Sequence, residues 1–573
     1  MVNKNRVSPQ KLPSSSSLSG TPEGADVAPP AVSSLIATLP TAAKMHRTID
    51  TFYHQAHAAQ DSRGVVMRTL SRCAYLMAFV ALGLANVGDA AEIGSMGFLL
   101  AHEGFRGEIL GELGGLVASS LYLGMLLGGL GAGPLCDQTG RRNVLIYGLI
   151  LNSGFGVAAS ISNAAWQVVV CRFFMGLGIG SIVSCLLALT SEHTPPRQRG
   201  FYLNFVSAFW TMGSVYVAVM ALLLFGHFDA DWRLYMAVNA APSLLSLLLV
   251  LCFVPESARF LALHGHHERA TQVANRLAGS MGFRGDPLRV DEVRAHFPPS
   301  KQASTSSSSS NKTAADADKS SSNSKASTTL QRRKKRGYWA SLARSCKAYR
   351  QLYNADTRGK TLGVQSLWFF VSFGSGMCLW IARVFADLPF VTHVYSMAFL
   401  FSMASVPGVL LAGVIMDKVG RTFLLTCALV GTTISLACFG CLTIFTDLSW
   451  AVLLAACIFH SCLVLSWSAL SVVTAEVFPT MIRGTAMGLC AASGRFASIL
   501  VHLVSAPLVD HENPSVLLFM GTASFTLGIF MSIVTQLQNK TGSPLEDADR
   551  SQVELSNPRK KNNSKTTGGD EQI

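Results

Sequence analysis

Gly133-Pro134-Leu135-Cys136-Asp137-Gln138-Thr139-Gly140-Arg141-Arg142 and, about 280 residues later, Gly413-Val414-Ile415-Met416-Asp417-Lys418-Val419-Gly420-Arg421 are one pattern written twice. The shared form is Gly-x-Leu/Ile-x-Asp-x-x-Gly-Arg. A second pattern follows each copy: Glu192-His-Thr-Pro195-x-x-x-Arg199-Gly200 in the first half and Glu476-Val-Phe-Pro479-x-x-x-Arg483-Gly484 in the second. One Asp-x-x-Gly-Arg carries little weight. Two patterns in the same order at nearly one period mark an internal duplication.

The surroundings of these motifs are apolar. Half of the 573 residues are hydrophobic and 14% are charged, against about 25% charged in soluble domains. Twelve apolar runs can be drawn, at 73–100, 112–135, 142–162, 165–191, 200–226, 232–254, 361–386, 392–416, 421–445, 449–475, 484–509 and 514–536. Each is close to the ~20 residues that cross a ~30 Å hydrocarbon core. The sequence therefore predicts an all-α membrane protein: 12 transmembrane helices in two pseudo-symmetric six-helix bundles. The net charge of +13 does not imply nucleic-acid binding, because the charges flank apolar runs or sit in polar tails and no nucleic-acid module is present. The 13 cysteines show no metal-ligand spacing and read as small buried hydrophobes. No cofactor or metal is expected.

Lys and Arg collect on one set of connections: Arg63, Arg68 and Arg72 before span 1, then Arg141/Arg142, Arg197/Arg199, Lys418/Arg421 and Arg483. The opposite connections carry Glu103, Glu108, Asp229, Asp231 and Asp510. This bias predicts that both termini and the central loop are cytoplasmic. The expected organisation is a disordered tail over 1–70, a six-helix bundle over 71–262, a linker over 263–358, a second bundle over 359–537 and a disordered tail over 538–573. Within the linker, 304–328 is a Ser/Asn/Lys/Ala tract too polar to repay ordering entropy. Residues 266–278 and 338–353 place apolar side chains at helical spacing and read as amphipathic helices lying under the membrane.

The repeated motifs have a physical use. Carboxylates and guanidiniums at neighbouring helix ends form charge-assisted bonds, and a topology signal needs Arg but has no use for Asp. Asp137, Gly140, Arg141, Arg142, Glu192, Arg199, Asp417, Gly420, Arg421, Glu476 and Arg483 are expected to form a cytoplasmic gate, pairing across the two halves.

On these motifs the chain resembles the major facilitator superfamily over about residues 70–537. Asp89-Ala-Ala-Glu92, Phe209-Trp210-x-x-Gly213, Pro255-Glu256-Ser257-Ala258-Arg259-Phe260, Pro407-Gly408-Val409-Leu410 and Glu476-Val-Phe-Pro479-Thr480 resemble the synaptic-vesicle-two-related branch. That branch is similar to niacin, hydroxybenzoate and organic ion transporters. Features usual in sugar porters are missing: span 5 lacks their Gln, and span 7 reads Gln365-Ser366-Leu367 without the paired Gln motif.

Ionisable residues inside spans are costly and mark function. Asp89 lies roughly 25 Å above the cytoplasmic edge by helix rise, Glu92 follows at i+3, and Arg172 in span 4 lies about 30 Å from its own cytoplasmic end. Asp89 and Arg172 thus fall at similar depth. Arg172-x-x-x-Gly176-x-Gly178-x-Gly180 resembles the span-4 pattern of proton-coupled relatives, which implies an Asp89–Arg172 bridge that exchanges a proton, with Glu92 as either the actual proton site or a partner for a cationic solute. Arg495, ~18 Å into span 11, is expected to meet the solute, and Trp210 to line its site. His460 and His502 read as hydrogen-bonded packing.

The expected function is secondary active transport of a small organic solute by alternating access, coupled to protons, the solute being an organic anion. Sugar or organic cation transport is the near alternative, and a non-transporting receptor or scaffold the alternative of another class. An enzyme is excluded by the lack of any nucleophile–base or metal constellation. The expected partners are a small-molecule solute, protons and the lipid bilayer, with no nucleic acid and a monomeric chain. The residues leave open whether the membrane is plasma or vesicular.

Overall fold

The computed structural model describes residues 49, 52–53, 65–110, 113–195, 199–281, 285–297, 352–388, 393–445, 448–478, 480–511 and 515–534. All of them belong to one compact unit, Arg47–Ile573. The described chain is about 90% helical with no strand. It holds twelve helices long and apolar enough to cross a membrane: Tyr75–Ala101, Gly114–Gly133, Arg141–Ser160, Ala165–His193, Arg199–Leu224, Trp232–Phe253, Arg358–Ala386, Val394–Met416, Arg421–Phe445, Ser449–Thr474, Thr485–Val509 and Ser515–Ile533. We number them spans 1–12. In lipid every backbone polar group must be bonded within the protein, which continuous helices achieve.

The duplication is visible in the backbone. The turn from span 2 to span 3 pivots on Gly140 at φ 97°, and the turn from span 8 to span 9 pivots on Gly420 at φ 92°. Only glycine adopts this backbone without strain, so the recurring Gly-Arg of the motif is the start of a helix after a left-handed turn.

Span 4 touches spans 2 and 3 at once because it is notched. A Cβ at Gly176 would land on the Leu121 carbonyl, and one at Gly178 would lie 2.9 Å from the Asn152 nitrogen. The glycine pattern after Arg172 is thus a packing surface that brings three backbones together. Span 6 contains Pro242, which cannot donate to the carbonyl four residues back. That carbonyl, of Val238, accepts instead from the Tyr216 hydroxyl at 2.8 Å. Span 7 tightens into a 3-10 turn at Gly376–Trp380.

Side-chain contacts between the halves lie toward the ends remote from the repeated motifs. Ser119 Oγ donates to the Ile499 carbonyl at 3.3 Å, Phe225 meets Tyr395 with ring centroids 5.4 Å apart, and Gly97 lets the Leu379 carbonyl approach closely.

Three expectations change. The tail was expected to be disordered to residue 70, but the first helix begins at Val65, and Ile49, Phe52 and Tyr53 are buried in the motif-side core. The three apolar side chains supply the driving force that the polar residues around them lack. The helix His267–Met281 does not turn its apolar face to lipid. Ala270, Ala274, Leu277, Ala278 and Met281 are buried in that same core, because span 1 and the short helices Ala258–Leu263 and Val290–His296 offer a protein surface first. Where pairing across the halves was expected, the two gate ion pairs found among the described residues, Arg141–Glu192 and Arg421–Glu476, each lie within a half. The second amphipathic segment, the Ser-rich tract and the C-terminal tail lie outside the described residues.

Candidate functional site

At the centre, spans 1, 3, 4 and 6 of the first half bring together polar side chains that are separated widely in sequence. Asp89 (0% exposed), Glu92 (2%) and Arg172 (1%) are sealed among apolar neighbours. Asn152 of span 3 donates to Asp89 Oδ1 at 3.1 Å and to Ser243 Oγ of span 6 at 3.0 Å. Gly88 makes this possible, since a Cβ there would collide with Ser243. Gly156 does the same for Glu92, whose Oε1 would lie 2.7 Å from an added Cβ.

The charge pairing differs from the expected one. The Arg172 guanidinium lies within electrostatic range of Glu92, and that of Arg495, in span 11, within range of Asp89. Asp89 and Arg172 form no ion pair in this structure. Asp89 and Glu92 are separated by three residues, ~4.5 Å along the axis, and Asp89 is taken by Asn152. No hydrogen bond reaches Asp89 Oδ2, Glu92 Oε1, or Arg172 Nε and Nη1. Such buried polar atoms are rare in folded proteins and call for an explanation in function.

The second half adds Arg495, His502 and Trp380. Trp380 Nε1 donates to His502 Nδ1 at 3.3 Å, and the His502 ring lies 4.9 Å from that of Tyr122, in span 2. His502 thus packs, hydrogen-bonded, between spans 2 and 7. Reading the sequence missed Tyr122, Asn152, Ser243 and the role of Trp380. Only the buried Asn in span 3 gave a signal that could have been followed. Arg495 is half-buried, unlike the sealed charges of the first half. Trp210 is 38% exposed although it lies on the stripe of buried Val206, Gly213 and Val217. His460 gives its Nδ1 to the Phe401 carbonyl at 2.7 Å and stacks on the Phe401 ring, which is packing.

At the motif ends the duplication produces the same ion pair twice. Arg141 meets Glu192 at 3.4 Å and Arg421 meets Glu476 at 3.3 Å. Each pair lies within its own half. Glu256, from the Pro-Glu-Ser-Ala-Arg run, completes the first set. Its carboxylate accepts from the backbone N–H of Arg141 at 3.0 Å and of Arg142 at 3.2 Å, capping span 3 where helix N–H groups are unpaired. Arg142 in turn donates to the carbonyls of Val254 and Leu251, and Arg199 to that of Ser191. The side chains of Asp137, Asp417 and Arg483 lie outside the described residues.

The family description "Major Facilitator Superfamily" matches residues 368–564, and "Sugar (and other) transporter" matches residues 75–313. The chain belongs to the major facilitator superfamily. Its similarity to mouse synaptic vesicle glycoprotein 2B is 28% identity over 236 residues, 39% of this chain and 34% of that one. Human synaptic vesicle glycoprotein 2A is 29% identical over 238 residues, 38% and 30% of the two chains. The match thus spans about a third of the length of these curated relatives. Among solved structures, the xylose transporter XylE of E. coli in a partially occluded inward-open conformation superposes with a TM-score of 0.62 at 17% identity, covering 82% of this chain and 99% of that one. At that identity the likeness is one of fold. Family and fold are those of a multi-pass membrane transporter and not of an enzyme.

Proposed function

We propose that this major facilitator protein is a secondary transporter that carries a small organic anion together with a proton by alternating access. The observation that carries the reading is the placement of four charges at the junction of the halves, three of them sealed and one, Arg495, accessible. Asp89 and Glu92 hold the proton: loss of either negative charge frees Arg172 or Arg495 from its partner and changes how the halves attract. Arg495 meets the solute, since a guanidinium fork binds a carboxylate through two parallel bonds, and Trp210 lines its site. Asp137, Gly140, Arg141, Arg142, Glu192, Arg199, Asp417, Gly420, Arg421, Glu476 and Arg483 set the gate. They hold each half rigid at the motif side while the halves rock against each other. The Lys/Arg bias supports a cytoplasmic motif side, with both termini and the central loop there. Both halves of the site come from one chain, which supports a monomer.

Sugar transport is the second reading, favoured by the family match over residues 75–313 and by the fold of the proton:xylose symporter XylE. Uptake into proteoliposomes with and without a pH gradient separates the readings, using a monocarboxylate, an organic cation and a hexose. We expect gradient-driven uptake of the monocarboxylate, lost in Asp89→Asn with exchange retained. Arg495→Lys should cut anion uptake severely, because the fork is lost although the charge remains. Hexose uptake by the parent with no anion uptake would overturn the anion reading. Equal uptake with and without the gradient would overturn coupling.

A further inference from the structure

A separate cavity of about 440 Å³ opens at the motif side of the first half, between the turn from span 2 to span 3, the end of span 6 and the helix His267–Met281. Its volume falls in the range of small-ligand sites. Its lining is cationic. Arg142, Arg269 and Arg276 face it with His264 and His266, against a single carboxylate, Glu256. That carboxylate is already committed to the backbone N–H groups of Arg141, Arg142 and Ser257. Arg142 is held in place by its two carbonyl bonds to the end of span 6.

Arg269 and Arg276 are seven residues apart on one helix, both exposed, with no acidic partner among the described residues. Seven residues are about two turns, which puts them on one face. The opposite face of the helix is fixed in the protein core, so these two guanidiniums are presented on a rigid support. Unpaired guanidiniums converging on a concave site are the chemistry of phosphate recognition. The rim adds a second feature. Leu251, Cys252 and Phe253 belong to the cavity wall, and Leu244, Leu245 and Leu248 continue an exposed apolar stripe up span 6. An acyl chain would lie along that stripe with its headgroup in the basic cavity.

We propose that this cavity binds a phosphomonoester-bearing anion, either the headgroup of a multiply phosphorylated inositol lipid or the corresponding soluble inositol phosphate. The proposal does not rest on the transport reading, although Arg142 belongs to both sites. Bound there, the anion bridges the start of span 3, the end of span 6 and the linker helix, and so stiffens the motif end of the first half.

The test uses the full-length protein in nanodiscs. Soluble inositol trisphosphate is titrated in one arm. In the other arm, nanodiscs contain either phosphatidylinositol bisphosphate or phosphatidylserine at equal total charge, and lipid retention is read by native mass spectrometry. Arg269→Gln/Arg276→Gln changes two exposed side chains and should leave the fold intact, which gel filtration checks. We expect saturable binding of the bisphosphate lipid that this double variant weakens about tenfold or more, the loss of at least one charge-assisted bond, with Arg269→Lys/Arg276→Lys in between. Binding of the soluble trisphosphate with the same variant dependence assigns the site to the headgroup alone. If it does not bind while the lipid does, the acyl contact along span 6 is required. Phosphatidylserine retained as tightly as the bisphosphate lipid, or binding unchanged in the double Gln variant, overturns the proposal.

Discussion

Tyr122 of the first half lies over His502 of the second, ring centroids 4.9 Å apart, at the point where the two bundles share their polar centre. The His502 ring is fully buried, and its Nδ1 accepts the Trp380 indole N–H. Replacing it by Phe keeps a ring against Tyr122 but orphans that donor. A buried polar group without a partner costs about 1–3 kcal/mol. We expect His502→Phe to lower the thermal midpoint in detergent, and His502→Phe/Trp380→Phe to recover part of the loss. Additive losses in the double variant would remove the bond from the account.

The two carboxylates should respond differently to neutralisation. Asp89→Asn still offers an oxygen to Asn152, so the hydrogen bond survives. Glu92→Gln leaves Arg172 buried without its partner. Removing one member of a buried charge pair costs about 3–5 kcal/mol. Here the cost should fall below that range, because Glu92 Oε1 and Arg172 Nε and Nη1 have no hydrogen-bond partner among the described residues. Thermal unfolding should rank Glu92→Gln below Asp89→Asn. The reverse order would mean that Arg495, not Arg172, carries the larger uncompensated charge.

The two ion pairs at the motif ends should behave alike. Arg141–Glu192 and Arg421–Glu476 have nearly equal lengths and partial burial. Double-mutant cycles with Arg→Ala and Glu→Ala should give coupling of about 0.5–1 kcal/mol at each site. Coupling in one half and none in the other would break the equivalence that the duplication implies.

His102, just beyond span 1, ties the remote side to pH. Its Nδ1 accepts from the Phe105 N–H at 3.3 Å and its ring stacks on Phe225 with centroids 4.4 Å apart. Burial holds its pKa below the ordinary 6.5, against the pull of Asp231 and Asp229. The folded state thus prefers the neutral ring. Its contribution is fully present above pH ~6.5 and is lost as pH falls through the lowered value. Thermal stability should therefore drop on mild acidification, and His102→Asn, which can cap without titrating, should flatten the dependence. An identical pH profile in the variant would assign the effect elsewhere.

Twelve spans, two halves and the glycine turns were legible in the residues because each depends on local properties. An apolar run of the right length must cross a bilayer, and a Gly-Arg written twice must turn twice. Asp89, Glu92, Arg172 and Arg495 were legible as individual anomalies for the same reason: charge inside an apolar run is visible without a fold. Which charge faces which was not. That depends on the rotation of each helix about its axis and on the depth at which glycines let neighbours sink. Asn152, far along the chain, therefore reaches Asp89 before Arg172 can. The same holds for Tyr122, Trp380 and His502, which meet only because spans 2, 7 and 11 converge. It holds too for the helix His267–Met281, whose apolar face the sequence assigned to lipid. An amphipathic pattern states that a face must be covered, and only the packed bundle decides what covers it.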